Sequence, residues 1–439
     1  MKFKEAEDYL LGLGHETLAI KLGLKNTELL LGLLENPERK FPAVQIAGTN
    51  GKGSTAVVLD SICRAAGVRT GLYTSPHLVS ITERIKINGV SLSPEAFAAT
   101  ATKVRSAAQK LITAGQITTL PTFFEQVTAI ALVAFREARV DVAILETGLG
   151  GRLDSTTAAN ACVVGITQIA FDHEEYLGNT LRQIAGEKAA IIRPGVKAVI
   201  APQNPEALSV ILRHCETSGV IPYADACNTR IVKVTADGHY SVRFETPNDI
   251  YPEVKLGLAG RHQIENVGVA IQLAELLREN GFNLSNAAIV KGVESATHAG
   301  RLELIAGSPS FLLDGAHNPA GARSLRDYLH EFVPKPVTLV FGAMREKRLD
   351  EIAQILFRAA DHLVLTPVNN PRAASTETLL SLAERHLPTN RITVASSSSE
   401  ALKIAERITP ALGTICVTGS LYLLGEVRPL VIGRGAAAR

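Results

Sequence analysis

Gly48-Thr49-Asn50-Gly51-Lys52-Gly53-Ser54 decides the reading of this chain. The run lies between a short apolar stretch, Val44–Ala47, and a helix-like pattern, Thr55–Ala66. Glycines let backbone N–H groups turn inward around phosphate oxygens. A helix N-terminus adds partial positive charge, and Lys52 can reach the β- and γ-phosphates. The strict pattern GxxxxGK[ST] is not met: its first glycine would fall on Ile46, and Gly53 displaces the hydroxyl one place to Ser54. The strand–loop–helix context still favours a phosphate site over a plain glycine turn with a solvated lysine.

Val140–Leu145, Ala161–Ile169 and Ala198–Ala201 are further apolar stretches separated by helical patterns. Such alternation implies parallel strands with helical crossovers. Residues 229–257 differ. Val232/Val234 and Val242/Phe244 alternate around a DGH turn, which predicts a small antiparallel insertion. A second series starts near residue 300, with strands expected at Phe311–Leu313, Val337–Phe341, His362–Leu365, Arg391–Ala395 and Thr414–Val417. Asn318-Pro319 reads as an N-cap with proline at the first helical position. No GxGxxG marks the first strand–helix turn of this series, so a nicotinamide dehydrogenase loses its main support. The predicted class is α/β. A P-loop-type, mostly parallel sheet domain with a small antiparallel insertion covers residues 1–298. A smaller Rossmann-like, doubly wound domain of about 140 residues covers residues 299–439.

Composition bounds the function. A chain of 439 residues allows two or three domains. Lys+Arg is 45 against 43 Asp+Glu, so a net charge of +2 supplies no global field for nucleic acid or an anionic membrane. Trp is absent and aromatics are 5%, which argues against a base-stacking surface. Five Cys form no CxxC pair, as expected for reduced thiols in a cytoplasmic protein. The start MKFKEAEDYL has no apolar signal core, and no run approaches a membrane span. A soluble cytoplasmic enzyme is expected.

A nucleotide loop needs magnesium ligands. Glu146 closes an apolar stretch, where an open α/β sheet presents a Mg²⁺ ligand, and Gly148, Gly150 and Gly151 follow it. Asp172-His173 closes the next stretch similarly. A solvated Glu and a structural His are the plain alternatives.

These residues together resemble the folylpolyglutamate synthase family, many of whose bacterial members are also dihydrofolate synthases. The resemblance is carried by GTNGKGS, Thr74-Ser75-Pro76-His77-Leu78, Glu146–Ser155, Asp172-His173 and Gly186-Glu187-Lys188. Gly300–Glu303, Asp314–Pro319 and Thr418–Leu423 agree in the second series. Lys21–Leu24 and Asn36-Pro37 agree before the loop. Gln45, where His is frequent in the family, and Thr147, where Gly is common, depart from it. The wider group is the Mur ligase-like amide ligases. Its muramyl-peptide branch carries a whole UDP-sugar domain before the loop, and only 47 residues precede Gly48 here.

The resemblance implies an ATP-dependent ligase of folate biosynthesis and one-carbon metabolism. ATP phosphorylates a substrate carboxylate, and the amine of L-glutamate displaces the phosphate. The carboxylate belongs to dihydropteroate, to folates, or to both. By family position Gly51, Lys52, Gly53 and Ser54 bind ATP phosphates, and Asn266, Arg301 and Asp314 contact ATP. Ser75, Glu146, His173 and Lys188 hold two Mg²⁺ ions. Thr122, Phe123, Phe124, Glu125, Leu153, Asp154 and Ser155 meet the pterin or pteroate, and His317 and Ser420 meet glutamate. Lys52, Lys188 and His173 carry the catalysis. Asp314 and Ser420 could instead simply cap local turns. The expected state is a monomer acting on small molecules. Another Mur-type ligase with a different carboxylate substrate, or a non-catalytic nucleotide-binding module, are the alternatives.

Lys188 is the sharpest case. Ile184, Lys188 and Ile191 fall on one face of a helical pattern, Thr180–Ile192. Such a lysine either snorkels its head to water or is buried as a neutral amine. A neutral amine adds CO₂ to give a carbamate, and the resemblance implies a carbamylated lysine here.

Overall fold

The computed structural model describes residues 1–14 and 23–437. Lys21 and Leu22 therefore lie outside the described residues. Ala43–Ala47, the strand entering the glycine loop, is buried at every position. It pairs in parallel with Val142–Glu146 on one side and Val163–Ile166 on the other. Alternate residues serve opposite faces. Ala43 and Ala47 pack with Phe123–Ala138 and neighbouring helices, whereas Val44 and Ile46 pack with Lys52–Ala65, Gln263–Glu279 and Asn286–Ser295. Helices on both faces explain why these strands read as continuous apolar runs.

The sheet has eight strands, ordered Val90–Ser91, Ile85–Ile87, Thr70–Tyr73, Val142–Glu146, Ala43–Ala47, Val163–Ile166, Lys197–Ile200, Tyr223–Ala224. Four were expected. Thr70–Tyr73 escaped notice because its sequence, TGLY, carries a glycine. Gly71 is there for packing: a Cβ would lie 2.6 Å from the Phe135 ring. The expected strand Ala161–Ile169 is shorter, Val163–Ile166, because the carbonyl of Gln168 leaves the ladder to accept the N–H groups of Thr49 and Asn50. The expected helix from Thr55 starts earlier, at Lys52, since Gly51 at φ 89° supplies the left-handed entry.

The insertion has three antiparallel strands, Asn228–Val234, Tyr240–Glu245 and Ile250–Lys255. The third contains Pro252, tolerable because it is an edge strand. Tyr240, Val242 and Phe244 point into the core beneath it. The chain passes to the second sheet between Ser295 and Glu303. That sheet runs Glu303–Ile305, Ser310–Leu313, Thr414–Thr418, Val337–Phe341, His362–Leu365, Ile392–Val394, with only the first strand antiparallel. The five expected strands are present. The sixth, Glu303–Ile305, is short, and Leu304 is exposed. Asn318 caps the helix Pro319–Phe332, its Oδ1 accepting from Gly321 N at 2.9 Å.

Gly71→Ala should overpack the Phe135 contact and destabilise the protein by about 1–3 kcal/mol. A urea melt checks this, and an unshifted midpoint would show that the ring can yield.

Candidate active site

The glycine loop, Glu146 and the Gln168–His173 segment follow the carboxyl ends of three adjacent strands. An open α/β sheet places its ligand crevice there. The second sheet's domain closes over this edge and completes a cleft of about 590 Å³.

The loop is held from inside. Gly48 sits at φ 151°, and a Cβ there would overlap Thr167. Its carbonyl accepts from Lys52 Nζ at 3.2 Å and from Lys188 Nζ at 2.7 Å. The first-turn N–H groups of Lys52–Ala65 have no intrahelical acceptor and face the same cleft. A Cβ at Gly51 would overlap Asn266 Oδ1, so Asn266 lies against the loop, with its Nδ2 donating to Gln263 Oε1 at 2.9 Å.

Lys188 does not snorkel. It is 4% exposed on Leu181–Ala189. Burial, aided by the Lys52 charge, pushes its ammonium down to about 7. Burial raises the carboxyl of Glu146, whose Oε2 accepts from Ser75 N at 3.1 Å. Burial and the neighbouring Lys347, His317 and Lys188 push His173 down to about 3, so its imidazole is neutral and able to ligate. Among the described residues no group of three His, Cys, Asp or Glu side chains has metal geometry. The buried carboxylate of Glu146, facing the phosphate loop, suits Mg²⁺, a cation held by one or two carboxylates together with phosphate oxygens.

Several predicted residues also carry local structure. Thr122 and Glu125 form a capping box on Phe123–Ala138, with Thr122 N donating to Glu125 Oε2 at 2.6 Å. T-x-x-E was legible as that signature. Asp154 accepts from Gly148 N, Leu149 N and Thr156 N at 2.8–3.0 Å, and so shapes the glycine turn after Glu146. Asp314 accepts from Leu302 N at 2.9 Å and Ala316 N at 3.0 Å, and Ser420 Oγ accepts from Tyr422 N at 3.1 Å. The turn-capping roles of Asp314 and Ser420 are thus real, and both residues still line the cleft together with Leu153, Ser155, Arg301 and His317. Phe124 lines it too, packed on Gly148. Phe123 does not: it turns into the core, beneath the Arg84 guanidinium at 5.3 Å.

Two family models match the chain: the Mur ligase middle domain over residues 46–274, and the Mur ligase glutamate ligase domain over residues 300–421. A Bacillus subtilis dihydrofolate synthase/folylpolyglutamate synthase is 34% identical over 94% of this chain and 96% of its own length. The chain belongs to the Mur ligase family, in its folylpolyglutamate and dihydrofolate synthase branch. Two solved members of the branch agree in fold. Mycobacterium tuberculosis folylpolyglutamate synthase complexed with ADP has a TM-score of 0.91 at 32% identity, covering 98% of each chain. A bifunctional folylpolyglutamate synthase/dihydrofolate synthase with Mn, AMPPNP and L-glutamate bound has a TM-score of 0.84 at 28% identity, covering 97% of this chain and 98% of that one.

Asp172, His317 and Asn318 were singled out from sequence, but their role in joining the two domains, and their partners Lys347 and Arg348, were not. Asp172 Oδ1 accepts from Lys347 Nζ at 2.6 Å, and its Oδ2 faces His317 Nε2 at 3.5 Å and Asn318 Nδ2 at 3.4 Å. Asn318 also donates to Asn50 Oδ1 of the glycine loop at 2.9 Å. Arg348 grips Glu174 through two bonds of 2.7 and 2.9 Å and stacks over Phe171 at 4.2 Å. Lys347 sits in Arg345-Glu346-Lys347-Arg348, which reads in sequence as a solvated charge run, yet its side chain is 9% exposed.

Burial opposes the charge of Asp172, but His317, His173 and Lys347 hold its carboxyl well below the usual range. The sign follows. The bridge contributes above the unfolded carboxylate value, about 3.9, and is lost only as pH falls through the lower folded value. Asp172→Asn leaves Lys347 buried without its counterion, costing about 3 kcal/mol. Faster limited proteolysis between the two sheets is the expected readout. An unchanged cleavage rate would place the docking energy elsewhere.

Proposed function

We propose that this protein is an ATP-dependent ligase that joins L-glutamate to a carboxylate of dihydropteroate and of reduced folates. The carrying observation is one cleft in which a phosphate loop, a buried carboxylate held by the Ser75 backbone N–H, and a second-domain wall bearing Lys347, His317 and Ser420 all converge. The family and the bound groups of its solved members support the reading. Residues 1–298 and 299–439 are its two domains, and the cleft is complete within one chain, which supports a monomer.

A carboxylate is a poor electrophile at neutral pH, so phosphorylation supplies the leaving group. Lys52 and the first-turn N–H groups of its helix stabilise the transferring phosphoryl. Ser75, Glu146 and His173 would hold Mg²⁺, which offsets phosphate charge when bound. The pterin end lies between Phe124, Leu153 and Ser155. Asp154 and Glu125 keep that wall in shape. The glutamate amine approaches from the second domain and attacks the acyl carbon, and phosphate departs. Much of the acceleration is positioning between domains.

Lys188 carries a carbamate in this reading. Its neutral amine attacks CO₂, the N–C bond forms, and one proton leaves to solvent. A buried cation thereby becomes an anion able to hold a second Mg²⁺. The amine is neutral above about 7, so ¹³CO₂ labelling should give a carbamate signal that grows as pH rises through that value. Lys188→Ala should lose activity, and short carboxylic acids should restore part of it. Full activity of Lys188→Ala in CO₂-depleted buffer would overturn the carbamate.

Lys52→Ala should abolish ligation at saturating ATP with an unchanged circular dichroism spectrum. Parallel assays with dihydropteroate and tetrahydrofolate check the substrate class. Incorporation of glutamate onto neither would sink the proposed function, and incorporation onto tetrahydrofolate alone would narrow it.

A further inference from the structure

Gly53, which breaks the strict phosphate-loop pattern, lies tight against a side chain from the segment that joins the two sheets. A Cβ at Gly53 would lie 3.0 Å from His298 Cε1 and 3.3 Å from Glu146 Oε2. His298 Nδ1 is 3.4 Å from Ser54 Oγ. Gln263 Nε2 donates to the same hydroxyl oxygen at 3.3 Å, and Gln263 Oε1 is fixed by Asn266 Nδ2 at 2.9 Å. Burial, with Arg301 and Lys86 nearby, keeps the His298 ring neutral, so one of its nitrogens is bare.

We propose that His298 is a positioning residue that accepts the Ser54 hydroxyl proton at Nδ1, so that Ser54 presents an oxygen lone pair to the phosphate cleft. A hydroxyl has one proton to give and two lone pairs. With Gln263 donating into one lone pair and His298 taking the proton, the second lone pair remains for Mg²⁺ or another donor arriving with the nucleotide. Left to rotate, the hydroxyl could turn its proton toward that cation. The acceptor comes from residues 296–302, between the helix Asn286–Ser295 and the strand Glu303–Ile305 of the second sheet. Arg301, three residues on, lines the cleft. The segment that leads into the second domain therefore also sets the rotor of the phosphate-loop serine. The inference rests on the proposed phosphate-loop function.

The test is a double-mutant cycle on the full chain, measuring KM for Mg·ATP, KM for glutamate and kcat. His298→Phe keeps a ring and removes the acceptor. It should raise KM for Mg·ATP on the order of fivefold to tenfold, the effect of one hydrogen bond, and leave KM for glutamate unchanged. His298→Asn, whose Oδ1 stands near the Nδ1 position, should stay within about twofold of the parent on the same scale. In a Ser54→Ala background His298→Phe should add nothing, since its partner is gone. Additive effects, or an equal loss in His298→Asn and His298→Phe, would overturn the positioning role. If Ser54→Ala and Lys52→Ala both leave the ATP dependence unaltered, the phosphate-loop reading itself fails and this inference fails with it. Thermal melting of each variant separates loss of fold from loss of positioning. ¹⁵N-histidine NMR gives an independent readout: a protonated His298 Nδ1 would contradict the proposed tautomer.

Discussion

A buried carboxylate, Asp172, holds the cleft together. The phosphate loop belongs to the first sheet, and the residues facing it belong to the second, so the site exists only while the two are docked. Asp172 is 8% exposed at its side chain and meets Lys347, which is 9% exposed. Breaking such a desolvated pair from one side is costly, although the pair adds little over an apolar contact of the same shape. Its value lies in register. Lys347, His317 and Asn318 come from two turns of the second domain, and one anion fixes all three against the first. Asn318 extends the same contact to Asn50 in the phosphate loop. The Glu174–Arg348 pair is more exposed, at 30% and 36%, and reinforces the register from the rim.

The charges around this anchor suit a polyanion. Lys52 and Lys188 share the Gly48 carbonyl, and their mutual repulsion helps to depress Lys188. Burial raises Glu146. A divalent cation would relieve the burial that raises Glu146, and phosphate oxygens would pair with the Lys52 ammonium. Perturbed groups converging in one cleft are what catalysis on a charged substrate needs.

The sequence revealed what depends on local pattern. The strand and helix flanking Gly48–Ser54, the antiparallel insertion around residues 237–239 and all five apolar strands of the second sheet follow from periodicity and turn chemistry. Thr70–Tyr73 and Glu303–Ile305 did not, because a strand of three or four residues containing glycine or glutamate is defined by its neighbours. In the cleft, Lys52 and Glu146 were legible because glycine-rich turns flank them, and Lys188 because it shares a helical face with Ile184 and Ile191. Lys347 and His298 were not. A lysine in a charge run and a histidine in a connecting segment have no local signal, and only the docking of two distant segments gives them partners. Phe123 shows the reverse error: it shares a motif with Phe124, but neighbouring positions on a helix face different ways.

Most cleft residues serve twice, and this shapes how the site must be read. Glu125 completes a capping box, Asp154 gathers three backbone N–H groups, Asp314 gathers two, and Ser420 and Asn318 each cap a helix. A carboxylate bound by backbone donors is fixed in orientation before any ligand arrives, which lowers the ordering cost of binding. The same economy of parts explains Gly53. A hydroxyl-bearing residue at that position would match the common phosphate-loop pattern but would press its Cβ against His298 and Glu146, at 3.0 and 3.3 Å. The loop gives up that side chain, moves its hydroxyl to Ser54, and gains a partner from the segment between the two sheets. The departure from the common pattern thus goes with a partner drawn from the segment that leads to the second sheet.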